Sequence, residues 1–242
     1  MHFKDEEMFN KLKKFIFHID KYTEETQDNN IGELYEIDLY TKFGNCKEYT
    51  SYGINILFIT DTHNCLAYSD EYLNYLKSLK TTDYDICLIL GDVSGLDIDA
   101  IKSIIPKEKL FGIVGNHDDI NSMEINNITN IHGKVIECKG VRIAAIMGSN
   151  RYKQGDYGMI TQDESIQIAE DMEKADILVS HDKAYIWDKN DKVHDGLKGI
   201  TYYLYKNHVP IHIHGHLHEE FEELLKNGTK SIGLFQIKLL QL

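Results

Sequence analysis

Six short apolar runs mark the chain, at residues 54–59, 86–90, 111–114, 141–146, 177–179 and 211–213. Each is rich in Ile, Leu and Val, with almost no polar residue inside it. Runs of this length and uniformity read as strands buried on both faces. The stretches between them are longer and mixed, and residues 68–80 carry helical spacing. Strands alternating with helices predict an α/β fold. Its functional site should lie beyond the carboxyl ends of the strands. Upstream the pattern changes. Met8, Leu12, Phe15 and Ile19 recur at helical spacing with lysines between them, which predicts an amphipathic helix over 5–20. Residues 33–50 show apolar and polar positions in near alternation (Leu34, Glu36, Ile37, Asp38, Leu39), which predicts a strand or hairpin. The expected organisation is an N-terminal extension, 1–50, packed on a main domain, 51–242.

Charge and composition narrow the classes. The net charge is -13 and the pI is near 5.3. An acidic surface disfavours nucleic-acid backbones and anionic membranes as partners. No apolar run is long enough to span a bilayer. The first fifteen residues lack the apolar core of a signal peptide. Cys46, Cys65, Cys87 and Cys138 are scattered and form no CxxC pair, as expected of free thiols in a reducing cytoplasm. With two prolines and no low-complexity tract, neither a linker nor a repeat is indicated.

Five of the six runs end in residues that bind metals. In order these are Asp61-Thr62-His63, Gly91-Asp92, Gly115-Asn116-His117-Asp118, Ser180-His181 and Gly215-His216-Leu217-His218. Carboxylate, imidazole and amide oxygen suit a hard or borderline divalent ion when no thiolate is offered. In Asp-x-His and His-x-His, residues two apart on an extended stretch point to one side. The glycines at 91, 115 and 215 allow sharp turns and close backbone approach. One such motif is common by chance; five in order at strand ends are not.

This order of motifs resembles the calcineurin-like metallophosphoesterases, over roughly residues 54–242. The resemblance implies a two-sheet β-sandwich flanked by helices, with two divalent metal ions at one edge. Mn²⁺ is the first candidate, with Fe, Zn or Ni as alternatives. It also implies that Asp61, His63 and His218 hold one ion, that Asn116, His181 and His216 hold the other, and that Asp92 bridges them. His117 would sit over the substrate as a catalytic residue rather than a ligand, and Asp118 would orient it. Gly148-Ser149-Asn150-Arg151-Tyr152 and Val193-His194-Asp195-Gly196 resemble segments of a bacterial, phosphodiesterase-like subgroup, although the Ser180-His181-Asp182-Lys183 stretch lacks the prolines common there.

The expected activity is hydrolysis of phosphate esters, diesters in preference. Water held between two divalent ions loses a proton near neutral pH, and His117 assists the leaving group. A phosphomonoesterase, a protein phosphatase and a non-catalytic metal-binding scaffold are the alternatives. The expected partner is a small phosphorylated molecule, and the oligomeric state is left open. Arg151 and His194, with Asn116, are candidate substrate contacts. His212 and His214 are expected in the core or behind the ligands, Tyr185 and Trp187 in packing, and Cys65 outside the ligand set.

Overall fold

A computed structural model describes residues 31–46, 48–49, 51–185 and 193–242. The helix predicted over 5–20 lies outside the described residues, as does Trp187. The strands are β1 (Asn55–Thr60), β2 (Ile86–Ile89), β3 (Leu110–Gly112), β4 (Thr129–Asn130), β5 (Val135–Cys138), β6 (Val141–Ile146), β7 (Ser149–Asn150), β8 (Met159–Ile160), β9 (Ile177–Ser180), β10 (Ile211–His214), β11 (Phe221–Leu224), β12 (Lys230–Gly233) and β13 (Gln236–Gln241). Two main sheets form, ordered β13-β1-β2-β3-β4 and β11-β12-β10-β9-β6-β5, and β7 pairs with β8 alone.

The six apolar runs divide between the sheets in chain order. The first three become β1, β2 and β3, and the last three become β6, β9 and β10. Within each trio the neighbours run parallel. Their carboxyl ends therefore gather on one edge of each sheet, and all five motifs follow such an end. Parallel strands need cover on both faces, and Ile56, Leu57, Phe58 and Ile59 are indeed all fully buried. Each such side chain contributes about 1.5–3 kcal/mol. The third run leaves its ladder at Gly112, although Ile113 still donates its N–H to the Ile89 carbonyl at 2.9 Å. The last strand, β13, closes the first sheet by pairing antiparallel with β1, Thr60 opposite Gln236.

The strand or hairpin expected over 33–50 is corrected: Ile31–Phe43 is a helix, α1. Tyr35 and Leu39, four apart, are buried, while Leu34 and Ile37 are exposed. The apparent alternation is two helical stripes seen edge-on. Helix α1 packs on α2 (Lys198–Asn207). Tyr35 donates to the Lys198 carbonyl at 3.2 Å, and Tyr205 donates to Glu36 at 2.6 Å. Helix α3 (Gln162–Asp171) also packs on α2, opened by a capping box of Thr161 and Glu164. Tyr185 packs edge-on to Tyr35, their ring centroids 5.9 Å apart. Among the described residues, no helix is long and apolar enough to cross a membrane.

Candidate metal centre

The sheets meet at the carboxyl ends of β1, β2, β9 and β10. There the backbone leaves ordinary strand geometry. Asp61 (φ 51), His63 (φ 43), Asp92 (φ 53), His216 (φ 70) and His218 (φ 56) all have left-handed backbones. The expected extended geometry of Asp-x-His and His-x-His is thus corrected: tight left-handed turns, not a pleat, aim both side chains of each pair inward. Non-glycine residues hold this conformation at a cost of about 1–3 kcal/mol each, and such strain concentrates at functional sites. Backbone bonds hold the turns. Asp61 N–H donates to the Gly91 carbonyl at 3.0 Å, and His63 N–H to the Asp92 carbonyl at 3.3 Å. Close approach needs glycine at two points. A Cβ on Gly115 would collide with the Asp92 carboxylate and the His181 ring, and one on Gly215 would collide with Thr60 and Asp61.

The ligand-type atoms converge. Asp61 Oδ2 accepts from Thr60 Oγ1 at 2.7 Å and from the His216 amide at 2.9 Å, which leaves Oδ1 facing inward. His218 Nε2 lies 3.5 Å from that Oδ1 and 3.1 Å from His63 Nε2. Asp92 Oδ1 accepts from the His117 amide at 2.8 Å. Its Oδ2 stands 3.9 Å from His63 Nε2 on one side and 3.6 Å from His181 Nε2 on the other. His181 Nε2 is 2.8 Å from Asn116 Oδ1. Two overlapping groups result, Asp61–His63–His218 and Asp61–Asp92–His181, each with ligand atoms within 4.8 Å of one another.

These residues fit divalent ions. Asp61 Oδ1 is buried and has no hydrogen-bond partner, a cost that a cation removes. His181 donates through Nδ1 to the Leu90 carbonyl at 2.8 Å, and His216 donates through Nε2 to the Val193 carbonyl at 3.3 Å. Such outer bonds select the tautomer and leave the other ring nitrogen for a metal, Nε2 in His181 and Nδ1 in His216. Burial depresses the His63 imidazole, and burial with the nearby His181 pushes His216 down to about 3, so both offer lone pairs. Burial works to raise Asp92, but His181 and the His117 amide hold it low and ionised. Burial works to lower His181, but Asp92 and Asp61 raise it. The carboxylates that favour a proton there would equally favour a divalent ion in its place.

The other sequence candidates divide. His117 is exposed, its ring edge-on to His63 with centroids 5.6 Å apart. Asp118, expected to orient His117, shares no hydrogen bond with that ring. Its Oδ2 instead accepts the amides of Asp92 at 2.7 Å and Gly115 at 2.9 Å. It ties two motif loops together, and burial with the Asp92 charge pushes its carboxyl up to about 7. Arg151 is committed elsewhere, to the Met159 carbonyl at 3.1 Å and to Glu164 at 3.4 Å. His194 lies against His216, centroids 4.8 Å apart. His212 is buried between the Ser180 and Ser231 hydroxyls, and His214 bonds the Gly215 carbonyl. Cys65 faces Gln236 Nε2 at 3.4 Å. Sequence reasoning missed Tyr152 as a partner of the centre: its hydroxyl accepts from Asn116 Nδ2 at 3.0 Å. Only its place beside Arg151, in a segment that already resembled a known one, signalled it.

Residues 54–220 match the model of a family described as calcineurin-like phosphoesterase. No curated protein sequence matches the chain. The crystal structure of TT1561 of Thermus thermophilus resembles it with a TM-score of 0.52 at 13% identity, over 79% of this chain and 95% of that one. The 5′-nucleotidase from Candida albicans does so with a TM-score of 0.52 at 12% identity, over 79% of this chain and 47% of that one. At such identities the likeness is one of fold.

Proposed function

Because this chain belongs to the calcineurin-like phosphoesterase family, we propose that it hydrolyses phosphate esters, diesters in preference to monoesters, with two divalent ions held by the converging Asp, His and Asn side chains. The observation that carries this reading is Asp92, whose Oδ2 stands between His63 and His181. One carboxylate can then serve two ions. Asp61, His63 and His218 would complete one site, and Asn116, His181 and His216 the other. Mn²⁺ is the first candidate, with Fe, Zn or Ni behind it. When bound, such ions supply Lewis-acid clamping of phosphate oxygens and an acidified water as nucleophile.

The chain's own residues do the rest. Asp61 and Asp92 are held by Thr60, the His216 amide and the His117 amide, so the charged wall is fixed before substrate arrives. Buried Asn116, His181 and His216 close the inner side. His63 and His218 remain 38% and 49% exposed along their side chains. That open side leaves room for a phosphorus bearing two organic substituents, which supports the diester preference. His117 sits on this side and would give its proton to the departing oxygen, a contribution of roughly 10²–10⁴-fold. The expected substrate is a small phosphorylated molecule met in a reducing cytoplasm, with neither nucleic acid nor membrane as partner.

The test is turnover of bis-p-nitrophenyl phosphate and of p-nitrophenyl phosphate by purified protein loaded with Mn²⁺. Faster release from the diester is the expected result. Faster release from the monoester would favour a phosphomonoesterase, and none from either, with ions bound, would favour the scaffold reading.

A further inference from the structure

Between β7 and β8 the chain loops over the segment that carries Asn116 and His117. Gly158 N–H donates to the Asp118 carbonyl at 3.1 Å and Ile120 N–H to the Asp156 carbonyl at 3.0 Å. Asp119 and Tyr157 pair as an isolated bridge, and Asn116 reaches the Tyr152 hydroxyl. The loop is thus fastened to the rim of the centre on the His117 side. Two large aromatic rings are left half in solvent there, Tyr152 at 39% and Tyr157 at 41%. Lys153 lies over both, its Nζ 4.2 Å from the Tyr157 centroid and 5.4 Å from that of Tyr152. Among the described residues Lys153 makes no ion pair, while its neighbour Arg151 is spent on Glu164.

A lysine parked on two rings has lost part of its rotamer freedom beforehand, so less is lost when it meets an anion. The setting makes that cation valuable. The chain carries a net charge of -13, so an anionic substrate approaches against the field of the whole protein. A positive group held at the rim opposes that field at the point of entry.

We propose that Lys153, held between Tyr152 and Tyr157, receives a second negative charge on the substrate's departing alcohol, so that the preferred ester releases an alcohol bearing a carboxylate or phosphate of its own. This rests on the phosphoesterase reading. The chemistry follows from the placement. Tyr152 touches Asn116, and His117, the group assigned to the leaving oxygen, is the next residue along the chain. The Tyr152 bond to Asn116 sets that ring, and the ammonium over it, on the side of the centre where the departing alcohol would extend.

The experiment uses the full chain loaded with Mn²⁺ and three methyl phosphodiesters. Their alcohols are 3-hydroxypropionate, its uncharged carboxamide, and ethylene glycol monophosphate. The kcat/KM of each charged ester should exceed that of the carboxamide by about 5–20-fold, chiefly through KM, as one partly exposed charged hydrogen bond allows. The larger of the two ratios shows whether carboxylate or phosphate is the natural group. In Lys153→Gln both ratios should fall to within about twofold of one, and Lys153→Arg should keep them above that. The matching non-hydrolysable phosphonates, titrated by calorimetry, should show the same order of Kd. Equal treatment of all three esters by the wild type, or a preference that survives Lys153→Gln, overturns the inference alone. Selective phosphonate binding without turnover of any ester overturns the phosphoesterase reading and leaves the anion subsite standing. Neither turnover nor selective binding overturns both.

Discussion

Asn116 Oδ1 and His181 Nε2 face each other at 2.8 Å, and the opposite end of each group is already engaged. Asn116 gives its amide N–H to Tyr152, and His181 gives its Nδ1–H to the Leu90 carbonyl. Two acceptor atoms aimed at one point are stable only around a proton or a metal ion. Beside them, Asp61 Oδ1 is buried with no hydrogen-bond partner, 3.5 Å from His218 Nε2. The centre is organised around positive charge.

Two divalent ions per chain are therefore expected after reconstitution with Mn²⁺, counted by elemental analysis. Occupancy at a hundred times Kd stabilises the fold by about 2.7 kcal/mol per site, so Tm should rise with Mn²⁺ and fall back with a chelator. A chain that stays folded yet binds one ion or none at saturation contradicts the two-ion centre.

Asp92→Asn should lower activity more than His63→Ala or His216→Ala. Asp92 faces His63 and His181 through a single oxygen, Oδ2, and an amide offers one neutral oxygen where the carboxylate offers charge to two cations. Activity measured against Mn²⁺ concentration decides the point. Excess metal should recover the histidine variants more readily than Asp92→Asn; the reverse order removes Asp92 as the bridge.

His117→Ala should keep both ions, because the His117 amide, not its ring, bonds Asp92. The rate loss should depend on the leaving group. A nitrophenolate leaves as a stable anion, whereas an alkoxide needs a proton as the bond breaks. Comparing kcat/KM on one aryl and one alkyl diester should show a loss about 10–100-fold larger for the alkyl ester. Equal losses would dismiss the acid role.

Tyr152→Phe removes the acceptor that holds the Asn116 amide in its ligating orientation. Losing an outer partner of this kind costs about 10–100-fold in metal affinity. The Mn²⁺ concentration for half-maximal activity should rise within that range while kcat at saturating Mn²⁺ stays closer to wild type. A fall in kcat with no change in Mn²⁺ requirement would contradict a positioning role.

His132 gives a pH dependence away from the centre. Its Nδ1 accepts the Met147 amide at 3.1 Å, and burial, with a smaller push from Lys134, lowers its imidazole to about 4. The unfolded chain, with an ordinary imidazole, binds more protons between about pH 6.5 and 4. Folding stability from this residue is thus full above pH 6.5 and declines as pH falls toward 4. In the chelator-treated protein, His132→Gln keeps an acceptor but cannot titrate. Its chemical denaturation midpoint should vary less between pH 7 and pH 5 than that of the wild type, and an unchanged pH slope would refute the assignment.

The strand runs and the residue types at their ends were legible from residues alone. An all-apolar run can only be buried, and Asp, His and Asn placed just after it can only gather where parallel strands stop. Hence β1, β2, β3, β6, β9 and β10 were legible, as was the meeting of Asp61, His63, Asp92, His181 and His218 beyond their ends. Other features depended on contacts across the chain. α1 was misread because the stripe of Tyr35 and Leu39 has meaning only against α2. β13 was invisible because Gln236-Ile237-Lys238-Leu239-Leu240-Gln241 is only half buried and takes its identity from pairing with β1. The left-handed turns at Asp61 and His216, the choice of Nδ1 in His216 by a carbonyl 23 residues away, the Asp118 carboxylate bracing Asp92 and Gly115, and the Tyr152 bond to Asn116 were likewise decided in three dimensions. Most of these are hydrogen bonds or steric limits between groups far apart along the chain. Local residue pattern carries no record of which partner will be within 3 Å.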